Sequence, residues 1–97
     1  MSFSGFLQEH RRLAVLKVLA EGGYSANESL ITDVVRSYGV AATRDQVRGE
    51  LGWLAEQDLV TTAEVAHLLI ATITQRGLDV ADGRAVYPGV KRPGPGA

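Results

Sequence analysis

The sequence has no cysteine, which excludes disulfides, thiolate metal ligands and a cysteine nucleophile together. It has no excess of either charge: ten Lys and Arg stand against eleven Asp and Glu, for a formal net charge of −1. A domain that holds nucleic acid by overall charge is basic, so any such binding here must use a locally basic face. No apolar run approaches the ~20 residues that span a bilayer. The N-terminus lacks a basic stretch followed by an apolar one, so no signal peptide is expected. Together these absences predict a soluble, cytoplasmic protein with no membrane association. Histidine is scarce too. His10 and His67 lie on separate segments, without the ligand spacing of a metal site, and neither a metal nor a cofactor is expected. There is no Gly-rich phosphate loop, zinc-protease pattern or nucleophile elbow, and the carboxylates are dispersed, so the chain does not read as an enzyme.

What is there suits one small domain: 97 residues, 45% of them hydrophobic, in the ordinary globular range. The first segment, about Phe3 to Glu21, has helical periodicity. Leu13, Leu16, Leu19 and Ala20 share one face with Phe6 above them, and Leu7, Arg11, Ala14 and Val18 form a second stripe. A helix apolar nearly all round must be covered on more than one side. The second stripe is the candidate dimer interface, together with the last helix, and Gly22-Gly23 ends the segment. A second helix is expected from about Asn27 to Tyr38, capped by Ser25 or Asn27, with Ser25 and Glu28 at capping-box spacing. Its core stripe reads Leu30, Ile31, Val34, Val35 and Tyr38, and Gly39 stops it. A third runs from about Thr43 to Gln57. Thr43 and Gln46 again have capping-box spacing, and Val47, Leu51 and Leu54 face inward. Two helices joined by a turn as short as Gly39 to Ala42 carry the helix-turn-helix signature.

After Asp58 the composition changes. Leu59–Val65 and His67–Ile73 are rich in strand-favouring Val, Ile, Thr and Leu, predicting a hairpin with a turn near Val65-Ala66. Thr74 caps a last short helix, about Gln75 to Asp82, closed by Gly83. From Arg84 onward the chain is rich in Pro and Gly and reads as an extended or disordered tail. The expected fold is mainly α with a small β-hairpin: a winged helix-turn-helix over residues 1–83 (three helices, a two-stranded wing and a C-terminal helix) with a flexible tail over 84–97.

The run Leu51-Gly52-Trp53-Leu54-Ala55-Glu56-Gln57-Asp58-Leu59-Val60 resembles the end of the recognition helix in ArsR-like and MarR-like repressors, where two leucines precede a Gly-Leu-Val stop. Asp58 stands here where those families have the glycine. Ala71-Thr72-Ile73-Thr74-Gln75-Arg76-Gly77-Leu78 resembles their second wing strand running into the last helix. End to end, including Pro88 to Pro93, the chain resembles a family of small proteins encoded in Mu-like prophages, described as phage proteins or as ArsR-like. The resemblance implies a phage protein acting in the host bacterial cytoplasm. The absence of cysteine ligands separates it from the metal-sensing members of the ArsR type.

If the third helix enters a major groove, its outward side supplies the contacts. That side carries Asp45, Arg48, Gly49, Gly52 and Glu56, with Thr43 and Arg44 at the N-terminal turn. Arg44 and Arg48 are one turn apart and could grip a phosphate or a guanine together. The plainer alternative is two solvated arginines paired with Asp45 and Glu50. Gly49 and Gly52 allow close approach of a DNA backbone or another helix, or serve no function. Trp53 reads as core or subunit interface. The hairpin tip, Ala63 to His67, has no Lys or Arg, so basic supplements would come from Lys91 and Arg92 on the tail, acting as an arm in the minor groove. Arg11, Arg12 and Lys17 form a further basic patch, beside DNA or merely solvated. Two functions follow: a homodimeric, sequence-specific regulator binding double-stranded DNA, or a winged-helix module presenting Gly49, Gly52 and Trp53 to a phage or host protein.

Overall fold

The computed structural model describes residues 2–94. These residues form four helices and one three-stranded antiparallel sheet, an α+β arrangement. The order is α1 (Phe3–Glu21), β1 (Ser25–Asn27), α2 (Glu28–Ser37), α3 (Arg44–Glu56), β2 (Val60–Val65), β3 (Leu68–Ile73) and α4 (Gln75–Ala81). Among the described residues no helix is long and apolar enough to cross a membrane.

Each helix begins where a side-chain oxygen can take an unpaired backbone N–H. Ser2 caps α1, Asn27 caps α2 through Leu30 N, and Thr74 caps α4 through Gly77 N. At α3 the predicted capping box is complete: Thr43 accepts from Gln46 N, and the Gln46 side chain accepts from Thr43 N. The box expected from Ser25 and Glu28 does not form. Ser25 lies in β1, a third strand absent from the expected two-stranded hairpin, and Glu28 is turned inward.

β3 is the central strand, with β1 on one side and β2 on the other. The pairing Val65↔Leu68 leaves Ala66 and His67 as a two-residue turn, with φ of 49° and 68°. Both central residues are left-handed, as a type I′ hairpin requires, although neither is Asn or Gly. Asp58 is also left-handed (φ 60°) and performs the helix stop for which glycine is the usual residue.

The core is formed by Val15, Leu16 and Leu19 of α1, Ile31 and Val35 of α2, Val47, Leu51 and Leu54 of α3, with Leu59, Val60 and Ala71. Two expectations about facing are corrected. On α2 Leu30 is exposed, as is Tyr38 at its C-cap, so the apolar anchors of that helix are Ile31 and Val35, with Val34 half-buried. On α1, the candidate dimer stripe is covered by the chain itself: Arg11, Ala14 and Val18 are buried, and only Leu7 reaches the surface. Helices α2, α3 and α4 all pack on α1, so little of that stripe is left open as a subunit contact, whereas Gln75 and Arg76 of α4 stay exposed.

The segment from Arg84 is not an extended tail over its described length. Val90 is buried, Lys91 N donates to Glu9 O at 3.2 Å, and the Tyr87 hydroxyl bonds Gln57 Oε1 at 2.6 Å. Val90 adds an apolar side chain to the core, and backbone and side-chain hydrogen bonds fix the rest, which a count of Pro and Gly does not reveal. Residues 95–97 of the predicted tail lie outside the described residues.

Candidate functional site

Arg44 and Arg48 meet on one carboxylate. Glu28, in the first turn of α2, has a side chain only 3% exposed. Its Oε1 accepts from Arg44 Nε at 3.1 Å, and its Oε2 accepts from Arg48 Nη1 and from Leu69 N of β3. Helix α2, helix α3 and the sheet are therefore tied at one point. Burial alone would raise the Glu28 pKa. The Leu69 N–H, the Arg44 hydrogen bond and the two guanidinium charges outweigh it and hold the carboxyl below its usual value.

Both arginine side chains remain about half exposed, at 52% and 41%. Arg44 spends only Nε; its two terminal nitrogens have no partner among the described residues. Arg48 also donates through Nη2 to Glu64 Oε1 of β2, joining the hairpin to α3. The hydrogen bond that Arg48 donates to Glu64, followed by the charge of Glu28, raises the Arg48 pKa further. The partners of the two arginines are thus Glu28 and Glu64, not the Asp45 and Glu50 suggested by proximity in sequence. Neither glutamate is a helix neighbour of either arginine, so the pairing depended on the tertiary fold.

Thr43 is engaged as the α3 cap, and Asp45 is an exposed first-turn acid, favourably placed at the positive end of the helix. Gly49 and Gly52 are exposed, and a methyl group at either would meet nothing within 4 Å. Gly49 borders an open groove of about 360 Å³ between α1 and α3, whose walls include Arg11, Gln46 and Trp53. Lys91 lies against Glu9 and 5.9 Å from the Phe6 ring centre on α1.

A second cluster lies on the other flank of α3. Glu50, missed as a functional residue, is buried between Arg11 and Arg12, at 3.1 and 2.9 Å from their Nε atoms. Arg12 stacks on Trp53 and donates through Nη1 to Gly89 O at 3.0 Å. The expected basic patch is thereby cancelled: two of its three members are buried ion-pair partners, and only Lys17 stays partly in solvent. Trp53 is half-buried under the C-terminal segment, with Tyr87 edge-on at 6.1 Å.

The chain is 48% identical over 91 residues to the uncharacterized protein gp26 of Escherichia phage Mu, covering 94% of this chain and 95% of that protein. It belongs to the phage Mu gp26 family. An uncharacterized protein of Haemophilus influenzae is 47% identical over 79 residues, 80% of this chain and 78% of that one. These relatives support the phage origin expected from the resemblance to Mu-like prophage proteins. No family model and no solved structure matches the chain.

Proposed function

We propose that this member of the family is a winged helix-turn-helix protein that binds double-stranded DNA with α3 as its reading helix. The observation that carries this reading is the pair Arg44 and Arg48. A buried carboxylate that cannot swing away fixes both on the solvent side of α3, with the Arg44 terminal nitrogens directed to no other group among the described residues. Guanidinium groups held in this way lose little freedom when they grip a phosphate or a guanine edge. The order of elements supports the same reading: α2 and α3 are joined by a short turn and followed by a hairpin, with β1 completing the sheet. In this reading the protein is a prophage transcriptional regulator in the host cytoplasm. It acts as a homodimer whose two α3 helices address half-sites about one DNA turn, roughly 34 Å, apart.

The deciding experiment is selection from a random double-stranded DNA pool, followed by binding across a salt series with wild type and the Arg44→Ala/Arg48→Ala double variant. An enriched two-fold site, steep weakening with salt and loss in the double variant support the proposal. Absence of enrichment and of binding at low salt overturns it.

A second reading has its own observation. Leu30 and Tyr38 are about half exposed beside Val34 on α2, an apolar stripe uncovered by the chain. Such a stripe suits a phage or host protein partner, and the near-zero net charge favours this module over a DNA binder.

A further inference from the structure

The two glutamates that hold Arg48 differ in how easily they can leave. Glu28 is buried and takes three donors on its two oxygens, one of them the backbone N–H of Leu69. Moving it would orphan a backbone donor and two guanidinium contacts. Glu64 is 55% exposed, stands on the outer strand β2, and has Arg48 Nη2 as its one side-chain partner among the described residues. Exposed ion pairs of this sort contribute little to stability and open readily.

The geometry points to an oxyanion site at Arg44 and Arg48 in which the Glu64 carboxylate is the resident occupant, displaced by a backbone phosphate of nucleic acid. This inference rests on the DNA-binding reading and deepens it. A phosphodiester carries one negative charge, as a carboxylate does. Exchanging one for the other keeps two guanidinium groups balanced by two anions, Glu28 and the newcomer. The leaving carboxylate is already half in water. The incoming phosphate reaches Arg48 Nη2, with the Arg44 terminal nitrogens as further donors on the adjacent turn. An acidic residue on the hairpin, which looks unfavourable for DNA binding, then acts as an internal competitor. It raises the threshold that a nucleic acid must exceed and leaves the site itself intact.

The exchange has a readout in salt dependence. In wild type, the phosphate replaces an existing anion and the freed Glu64 recruits a cation. In Glu64→Gln, the phosphate neutralises an uncompensated arginine. The test measures anisotropy of a labelled random-sequence DNA duplex over a salt series, with wild type, Glu64→Gln, Arg48→Ala, Arg44→Ala and Glu64→Gln/Arg48→Ala, each checked for folding by thermal unfolding. The expected result is several-fold tighter binding by Glu64→Gln at low salt. Its log–log salt slope should steepen by about one, and both gains should vanish in the Arg48→Ala background. If Glu64→Gln binds no tighter while Arg44→Ala and Arg48→Ala weaken binding, the exchange is overturned and the DNA reading stands. If neither wild type nor Glu64→Gln binds at low salt, both fall. Binding by Glu64→Gln alone supports Glu64 as the occupant of the site and overturns DNA binding by the wild-type protein.

Discussion

Arg12 places its guanidinium carbon 3.8 Å from the centre of the Trp53 indole while donating to the carbonyl of Gly89. One arginine thereby holds together α1, α3 and the C-terminal segment. Gly89 can sit there because it has φ +94° and no side chain: a methyl group would come within 2.8 Å of Trp53 Cζ2. Gly89→Ala is expected to cost about 1–3 kcal/mol, from the left-handed backbone and the overlap together. Thermal unfolding measures the loss. Faster trypsin cleavage after Lys91 reports release of the segment, and cleavage at the wild-type rate would show that the segment is not anchored at Gly89.

Glu50 sits between two buried arginines, with its side chain 4% exposed and theirs 10%. Removing the carboxylate strands two charges out of water. Glu50→Ala is expected to destabilise the domain by roughly 3–5 kcal/mol, the usual cost of breaking a buried pair from one side. Urea unfolding gives the value. Adding Arg11→Met to Glu50→Ala is expected to recover part of it, because one stranded charge is removed; a further loss would contradict this account.

The helices and the hairpin were legible because capping residues and apolar periodicity are local signals: Thr43 with Gln46, Thr74, and Val47-Leu51-Leu54 all do what their spacing predicts. β1 was not legible. Three residues, Ser25-Ala26-Asn27, become a strand only because β3 offers them an edge. The exposure of Leu30 and Tyr38 could not be read either, since the periodicity of α2 does not reveal how much surface its neighbours cover. At the candidate site, Arg44 and Arg48 were identified from their one-turn spacing, but Glu28, Glu50 and Glu64 were not. Their arginine partners lie 16 to 39 residues away in sequence. The one signal in reach was a first-turn glutamate, and it fitted a capping box equally well.

The depressed pKa of Glu28 predicts a specific acid sensitivity. Its folded-state value lies below the ordinary 4.5, so the folded state favours the ionised carboxylate. The stabilisation is present above pH 4.5 and is lost as pH falls through the folded value. Wild type should lose stability over that acid window, with the urea midpoint falling progressively. Glu28→Gln should start lower at neutral pH and show a flatter profile over the same window. Parallel profiles for the two proteins would show that Glu28 is not linked to folding.

Gly49 and Gly52 separate stability from function. Both lie inside α3 on its exposed side, and a methyl group at either meets only open space. Glycine within a helix costs roughly 1 kcal/mol relative to alanine, partly by loosening the unfolded chain. Gly49→Ala and Gly52→Ala should therefore each stabilise the domain by about that amount, and the double variant should show nearly the sum, measured as a rise in urea midpoint at unchanged slope. The same two methyl groups would stand between α3 and anything that approaches its backbone closely. If this face is a contact surface for DNA, the stabilised double variant binds the selected duplex more weakly than wild type. Added stability with undiminished binding would show that the glycines play no part in contact, and would narrow the interface to the N-terminal turn around Arg44 and Arg48.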